Sequence, residues 1–156
     1  MPRDIKFKLA EDTITNSEIK KLSKWLGNAK RLTQDKNVKK FENDFSKYIQ
    51  VKNSTFVNSG SSANLLIAQS LLESGLLKNK IVIAPTLSWA TTVTPFLQLG
   101  YDVKLCDTSF KNLGLSIDHL EYLCKKFKPS IIVLVHVLGH ANEMKKILKI
   151  CKKYRI

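Results

Sequence analysis

The residues with the clearest chemical potential stand at the junction of a predicted strand and a predicted helix. Asn58 and Ser59 lead into Gly60, Ser61 and Ser62, after which the apolar spacing of a helix begins. Small residues at such a junction let the backbone approach a ligand, and the N–H groups of the first helical turn attract phosphate at the positive end of the helix dipole. Gly60, Ser61 and Ser62 are therefore candidate phosphate-binding residues, although Ser and Gly also cap helices that bind no ligand.

Trp89 is the second candidate. It follows the predicted strand 81–84 at its carboxyl end, the edge where open α/β sheets bind ligands, and an indole there can stack on a planar ring. Packing within the protein is the alternative role for a single tryptophan. The sequence contains neither GxGxxG nor GxxxxGK[ST], which disfavours dinucleotide and P-loop chemistry.

His136 and His140 are four residues apart and could suggest a metal pair. Gly139 lies between them in a predicted loop, where the helical i, i+4 geometry is lost, and no third ligand is evident, so no metal site is predicted. Asp107 and Asp118 stand near predicted strand and helix ends, where aspartate forms turns and caps helices. No catalytic residue is assigned in this chain.

Four short apolar or β-branched runs, which alternate with helical segments, are the predicted strands. They are residues 54–57, 81–84, 103–106 and 131–135. Short buried strands joined by helical crossovers pair in parallel, and helices then cover both faces of the sheet. The predicted fold class is α/β with a mostly parallel sheet.

The helices that join these strands differ in their predicted burial. The helix after residue 61 is apolar nearly all round and is expected to lie buried, whereas the helices near 117–127 and 144–151 have one apolar face and are surface crossovers. Between Trp89 and Leu99 the pattern is weaker because Pro95 would interrupt a helix interior. A short or kinked helix is expected there.

The first fifty residues are predicted to form a helical arm or flank. Thr15 and Glu18 have the spacing of a capping box, and the stripe from Val38 through Phe41 and Phe45 indicates a second amphipathic helix. Residues 1–50 are therefore assigned to the arm and residues 51–156 to the α/β domain. A chain of 156 residues is long enough for one domain with a substantial core.

Charge and cysteine content limit the other functions. The net charge is +13, and all but three of the 26 Lys and Arg residues are lysine. Bidentate recognition of phosphates and bases favours arginine, so the excess of positive charge indicates a lysine-coated surface more than a nucleic-acid partner.

The cysteines and the N-terminus bear on the location of the protein. Cys106, Cys124 and Cys151 lack CxxC spacing and suit buried thiols. The N-terminus lacks the apolar run of a signal peptide and no stretch is long enough to span a membrane, so a cytoplasmic location is expected.

Four segments together resemble one family, the sugar aminotransferases named for DegT, DnrJ, EryC1 and StrS. They occur in the family's order and spacing across nearly the whole chain: VKKFENDF at 38–45, VNSGSSANL at 57–65, APTLSWATT at 84–92 and VHVLGHANEM at 135–144. Each segment alone would be weak, but four in register make the resemblance specific.

This resemblance implies a pyridoxal-phosphate (PLP) enzyme of fold type I that acts on nucleotide-linked keto sugars in cell-surface polysaccharide or amino-sugar biosynthesis. The chain would form the N-terminal part of its large domain. Gly60, Ser61 and Ser62 would hold the cofactor phosphate, and Trp89 would stack on the pyridine ring. The complete enzyme would be a homodimer that uses an amino donor such as glutamate, with no nucleic-acid or membrane partner.

The same resemblance implies that two reactive groups are missing. The family's aspartate that pairs with the pyridine nitrogen, and the lysine that binds the cofactor covalently, follow later than Ile156, and no lysine here stands in the family's lysine motif. A transaminase needs both groups, so the chain is expected to be a fragment, a split piece or a remnant that is inactive alone.

Two alternatives remain open from the sequence. The segments also resemble a side branch of the family, sugar 3-dehydratases that have histidine in place of the lysine, although Trp89 favours the aminotransferase branch. The alternative from another class is a non-enzymatic basic module that binds anionic partners through its lysines.

Overall fold

A computed structural model describes residues 12–156, so the N-terminal segment 1–11, which belongs to the predicted arm, lies outside the described residues. The chain divides into two compact units, with the boundary between Phe56 and Val57. The helices are α1 Asn16–Asn28, α2 Lys36–Tyr48, α3 Gly60–Glu73, α4 Thr94–Gln98, α5 Ile117–Phe127 and α6 Met144–Tyr154. The strands are β1 Ile81–Pro85, β2 Asp102–Cys106 and β3 Ile131–Ile132.

The first unit contains the two predicted helices. At the start of α1, Thr15 Oγ1 accepts a hydrogen bond from the Glu18 N–H at 3.3 Å, and Glu18 Oε2 accepts one from the Thr15 N–H at 2.7 Å. This reciprocal pair is the predicted capping box, which satisfies two N–H groups that a helix start leaves without partners. On α2, the Phe41 ring stacks on Phe45 and contacts the edge of Phe56, with centroids 5.8 and 5.4 Å apart.

The predicted strand at 54–57 is wrong, because these residues pair with no strand in the described part of the chain. Side chains of α2 bind this segment instead. Glu42 Oε1 accepts a hydrogen bond from the Phe56 N–H at 2.9 Å, and the Ser46 and Ser54 hydroxyls are hydrogen-bonded to each other at 2.9 Å. A carboxylate on a neighbouring helix has replaced the ladder hydrogen bond that a strand partner would supply.

The second unit contains a three-stranded parallel sheet in the order β2-β1-β3. The predicted parallel pairing and the strands at 81–84 and 103–106 are confirmed. The predicted strand 131–135 is shorter, since its regular pairing covers only Ile131 and Ile132, although the Val133 N–H still donates to the Ile83 carbonyl at 2.8 Å.

Helices pack on both faces of this sheet, as the sequence predicts. Side chains alternate along a strand, and Val82 and Ile83, both fully buried, accordingly belong to two separate apolar clusters. Ile83 packs with Leu120 of α5 and Ile147 of α6. Val82 packs with Ala68 of α3 and with Phe96 and Tyr101.

Helix α3 is far less buried than its composition predicts. Only Ala68 is buried on it, while Leu65, Leu66 and Ile67 are 40%, 49% and 54% exposed. The expectation of a buried helix is therefore wrong for the described residues. Ala68 and Leu72 supply the face that packs on Val82, and no described element of this unit covers the other faces.

The segment around Pro95 is helical only over short stretches. Residues 89–99 form a 3-10 turn at Ala90–Thr92 followed by the five-residue α4, which agrees with the short or kinked helix expected near Pro95. Among residues 12–156, no helix has both the length and the apolar character needed to cross a bilayer.

Candidate functional site

The predicted phosphate-binding turn forms the start of α3. Ser59 precedes the helix in an extended conformation, and its Oγ accepts the Ser62 N–H at 3.1 Å, while its carbonyl accepts the Ala63 N–H at 3.0 Å. The N–H groups of Gly60 and Ser61 have no acceptor among residues 12–156. They are the donors that this helix start offers to a ligand.

The space in front of the turn is open on the protein side. A Cβ added at Gly60 would meet nothing within 4 Å, and Gly60 and Ser61 are exposed. The Ser59 and Ser62 hydroxyls are hydrogen-bonded to each other at 3.2 Å. Packing within the described residues therefore does not require small residues here, and they leave room for a ligand beside two N–H groups.

Trp89 lies in the loop that follows β1, at the carboxyl edge of the central strand. Its side chain is 79% exposed, so in this unit it does not serve as a packing residue. The loop is fixed on both sides of it: the Ser88 hydroxyl donates to the Pro85 carbonyl at 3.2 Å, and the Trp89 carbonyl accepts the Thr92 N–H at 2.9 Å. An indole held on a fixed backbone is suited to stack on a planar ring.

One side chain joins the predicted phosphate-binding turn at Gly60–Ser62, called the phosphate turn below, to the loop that carries Trp89, called the tryptophan loop. Asn64, on the second turn of α3, donates through Nδ2 to the Thr91 carbonyl at 3.0 Å. Gly60 and Trp89 are therefore each only a few residues from the two ends of this hydrogen bond. The structure thus connects two segments that are far apart in the sequence.

The loops after β1 and β2 are hydrogen-bonded at the same edge of the sheet. Thr86, just beyond β1, donates through its N–H to the Cys106 carbonyl at 3.0 Å, and its hydroxyl lies 3.1 Å from the Thr108 hydroxyl. Further along, the loop after β2 contains Asn112 and Leu115, which bind the segment after β3.

Asn142 is the residue that binds the loops after β2 and β3 together. It is 5% exposed, its Oδ1 accepts the Leu115 N–H at 2.8 Å, and its Nδ2 donates to the Val135 carbonyl at 2.8 Å. The Asn112 side chain adds a second link by donating to the Ala141 carbonyl at 3.3 Å. All three strands therefore end in one hydrogen-bonded layer of loops.

The two histidines that the sequence places near β3 do not share a role. His136 accepts the Asn142 N–H through Nδ1 at 3.1 Å, whereas the His140 ring makes no side-chain hydrogen bond within the described chain. In residues 12–156 no group of three or more His, Cys, Asp or Glu side chains is arranged to hold a metal.

The two aspartates lie at element ends. Asp107 follows β2, its carbonyl accepts the Ser116 N–H at 2.8 Å, and its carboxylate lies 3.0 Å from His119 Nδ1. Asp118 lies in the first turn of α5, where a carboxylate complements the helix dipole. Both positions agree with turn and helix-end roles.

The three thiols lie in or against the apolar cluster on the α5 and α6 side of the sheet. Cys106 and Cys124 are buried and Cys151 is half-buried, and none forms a disulfide. Burial raises the pKa of Cys106 and of Cys124 to about 12, with a smaller effect of nearby charge, and it also raises the pKa of Cys151. Thiols that resist ionisation are poor nucleophiles, so these are structural.

A family model now identifies the class of this chain. The model of the DegT/DnrJ/EryC1/StrS aminotransferase family matches residues 12–156. The chain belongs to this family, as its four sequence segments predict.

Two characterised relatives illustrate the range of reactions in the family. The chain is 34% identical over 149 residues to a GDP-4-keto-6-deoxy-D-mannose 3-dehydratase of Yersinia pseudotuberculosis, a match that covers 94% of this chain and 37% of the relative. It is also 34% identical over 151 residues to a UDP-4-amino-4,6-dideoxy-N-acetyl-beta-L-altrosamine transaminase of Campylobacter jejuni, with coverage of 94% and 38%.

Solved structures support the fold. PseC of Helicobacter pylori, an aminotransferase involved in the biosynthesis of pseudoaminic acid, superposes with a TM-score of 0.80 at 25% identity, over 96% of this chain and 39% of PseC. The E. coli GDP-4-keto-6-deoxy-D-mannose-3-dehydratase with bound hydrated PLP gives 0.77 at 30% identity, over 94% and 38%. The fold is that of the N-terminal part of PLP enzymes of fold type I, and the chain spans well under half the length of these relatives.

Sequence reasoning assigned no role to Asn64 or to Asn142, although both stand in the segments that carry the resemblance. Each uses its amide to bind a backbone group 27 residues away along the chain. The sequence could have indicated such a role only through their positions. A polar residue within an apolar helix or beside a buried strand needs a hydrogen-bond partner.

Proposed function

We propose that residues 57–156 hold pyridoxal phosphate, with Gly60, Ser61 and Ser62 at the phosphate and Trp89 on the ring. The observation that carries this proposal is the hydrogen bond from Asn64 to the Thr91 carbonyl, since it fixes the phosphate turn beside the tryptophan loop. When bound, the cofactor supplies an electron sink for bond cleavage next to a substrate carbon.

The donor set agrees with the chemistry of a phosphate monoester. The Gly60 and Ser61 N–H groups lack acceptors among the described residues, and Ser61 adds an exposed hydroxyl. Backbone donors at a helix start bind a dianion through charge-assisted hydrogen bonds, which are about twice as strong as neutral ones. Trp89 supplies a broad apolar surface for the pyridine ring.

For the reaction, we propose amino transfer to a nucleotide-linked keto sugar, with an amino donor such as glutamate, in a cytoplasmic homodimer that serves cell-surface polysaccharide biosynthesis. Membership of the aminotransferase family and the transaminases among the relatives support the amino transfer to a nucleotide-linked sugar. No lysine of this sequence stands in the family's lysine motif, so residues 1–156 are expected to bind the cofactor without transferring amino groups.

A second candidate reaction is sugar 3-dehydration on the same scaffold. The specific support is the identity to GDP-4-keto-6-deoxy-D-mannose 3-dehydratases, 34% for the Yersinia enzyme over 94% of the chain. Both reactions need the same phosphate turn and ring surface.

The binding half of the proposal can be tested with pyridoxamine 5′-phosphate. Most of the cations are lysines, which react with the aldehyde of pyridoxal phosphate, whereas the amine form cannot label them. A Trp25→Phe variant leaves Trp89 as the reporter. Saturable quenching of its fluorescence by pyridoxamine phosphate is the expected result.

Pyridoxamine without phosphate is the matched ligand control. It should bind about tenfold more weakly or worse, because each charge-assisted hydrogen bond contributes about 1.5–3 kcal/mol. No quenching at millimolar pyridoxamine phosphate, or equal affinity for the two ligands, would contradict the assignment of the phosphate turn.

A further inference from the structure

His136 is an exposed side chain whose ring is held by a buried residue. Its Nδ1 accepts the Asn142 N–H at 3.1 Å, and Asn142 Nδ2 lies at the same distance. A neutral imidazole whose Nδ1 accepts a hydrogen bond carries its proton on Nε2. Nε2 has no hydrogen-bond partner among residues 12–156, so within this part of the chain the fixed ring presents an N–H that can donate to a further group.

The residue that holds the His136 ring is itself fixed by backbone hydrogen bonds. Asn142 uses both ends of its amide, on Leu115 and on Val135, and so orients the His136 ring from a buried position. Gly114 leaves room for this, because a Cβ there would lie 2.5 Å from Asn142 Oδ1. A side chain with a fixed orientation gives a donor of defined direction at little further entropy cost.

The backbone next to His136 is strained. Leu138 has a φ of 51° and is 89% exposed, and Gly139 follows with a φ of 82°. A non-glycine residue in the left-handed region costs about 1–3 kcal/mol and occurs preferentially at functional sites. The loop next to His136 therefore holds Leu138 in an unfavourable backbone conformation, as loops at binding sites often do.

Topology brings His136 to the proposed cofactor site. β3 is the parallel neighbour of β1, and neighbouring strands are about 4.7–4.9 Å apart. His136 follows β3 at the edge where Trp89 follows β1. This is also the edge where ligands bind in open α/β sheets.

We infer that His136 is a ligand-binding residue of this site, which donates its Nε2–H to an acceptor oxygen of the bound molecule. The inference rests on the proposed function, because it assumes that the sheet edge binds the cofactor. The oxygen belongs either to the cofactor ring or to the nucleotide-linked sugar, and the two sources are separable by experiment.

Two conservative variants isolate the Nε2 group. His136→Asn places an amide oxygen near the Nδ1 position, where it can still accept from Asn142, but it has nothing at Nε2. His136→Gln places an amide N–H near Nε2 and should restore binding in part. His140→Asn is the control, as it makes the same chemical change in the same loop at a ring without a side-chain partner in residues 12–156.

Each variant is made in the Trp25→Phe chain, and its affinity is compared with that of the Trp25→Phe chain itself. Two ligands are titrated: pyridoxamine phosphate, and then GDP-mannose with pyridoxamine phosphate present. His136→Asn should lose about 3- to 10-fold for one of the two ligands, the size expected for one hydrogen bond, and His140→Asn should not. A loss for pyridoxamine phosphate assigns the oxygen to the cofactor ring, and a loss for GDP-mannose alone assigns it to the sugar.

The tautomer provides a readout that does not depend on binding. Long-range ¹H–¹⁵N correlation spectra should show the Nε2–H form of His136, and a ring protonated on Nδ1 would overturn the inference. An unchanged affinity of His136→Asn for every ligand that the wild type binds would overturn it as well. If the wild type bound neither ligand, the proposed function itself would fail.

Discussion

The Nδ2 atom of Asn64 lies 3.0 Å from the carbonyl oxygen of Thr91, and this hydrogen bond is the direct link between helix α3 and the turn that follows Trp89. Both groups are partly buried. A carbonyl in that environment loses stabilisation if its donor is removed, since water replaces the donor only in part. The bond therefore contributes to the fold and also fixes the start of α3 relative to the loop that carries Trp89.

Replacement of Asn64 by alanine should affect both properties. The free energy of unfolding should fall by about 0.5–1.5 kcal/mol, the usual net contribution of one hydrogen bond. The affinity for pyridoxamine phosphate should fall as well, because the two halves of the site are no longer held together. Urea denaturation and titration of Trp89 fluorescence measure the two effects.

Gln69→Ala is the matched control for this change, because Gln69 lies on the same helix and its side chain bonds only to the exposed Glu73, at 2.7 Å, within the described residues. It should leave the affinity unaltered. An Asn64→Ala variant with the affinity of the wild type would show that the link to Thr91 has no part in ligand binding.

Much of this fold could be predicted from the sequence, because local patterns determine it. The apolar face of α5 follows from helix periodicity alone. The burial of Val82 and Ile83 on opposite faces of the sheet follows from strand periodicity alone. The capping box at Thr15 is equally local. The two-sided parallel sheet followed from the alternation of such elements.

The errors and omissions share a different cause. The run 54–57 has the composition of a strand, yet Glu42 on α2 binds its backbone, a choice that tertiary contacts decide. Composition predicted a buried α3, but burial depends on what surrounds a helix. The bonds made by Asn64 and Asn142 reach 27 residues along the chain, and no local pattern encodes them.

Gly114 should tolerate no side chain. An added Cβ would lie 2.5 Å from Asn142 Oδ1 and 2.8 Å from its Cγ, and Asn142 cannot move without losing its hydrogen bonds to Leu115 and Val135. Gly114→Ala should therefore destabilise the chain by about 1–3 kcal/mol, the typical cost of overpacking. Chemical denaturation at constant pH measures this.

Gly60→Ala provides the comparison within the same unit, since its Cβ would meet nothing within 4 Å. Its midpoint of denaturation should equal or slightly exceed that of the wild type, because alanine favours the helix more than glycine does and restricts the unfolded chain. Equal midpoints for Gly114→Ala and the wild type would mean that Asn142 is not fixed as described.

The buried thiols should make the fold sensitive to alkali. Burial raises the pKa of Cys106 and of Cys124 from an ordinary 9.0 to about 12. Since the pKa is higher in the folded state than in the unfolded state, their contribution is complete below pH 9 and is lost as the pH rises from about 9 towards 12. The free energy of unfolding, measured by urea denaturation in steps across this range, should decrease accordingly.

Lysines titrate over part of the same range, so a variant must separate the two effects. Cys124→Ala should be less stable than the wild type at about pH 7, because it leaves a small cavity, but its stability should decline less steeply above the ordinary thiol pKa of 9.0. Parallel pH profiles for the two proteins would refute a role for the Cys124 thiol.

Ser59 connects the stability of α3 with ligand binding at its first turn. Its Oγ accepts the Ser62 N–H at 3.1 Å, and loss of such a cap costs about 0.5–2 kcal/mol when alanine replaces serine but only a few tenths when glycine does. Ser59→Ala should therefore lower the melting temperature more than Ser59→Gly.

Ser59→Ala and Ser59→Gly change the donors of the first turn of α3 in the same way. Both free the Ser62 N–H, and both remove the Ser59 hydroxyl. If a phosphate binds the first turn, their affinities for pyridoxamine phosphate should change in parallel even though their stabilities differ. Melting temperatures with and without the ligand measure both quantities, since a ligand that binds the folded state raises the melting temperature according to its affinity. Affinities that instead followed the stability of the variants would indicate that the ligand senses the folding of α3 and does not contact its first turn.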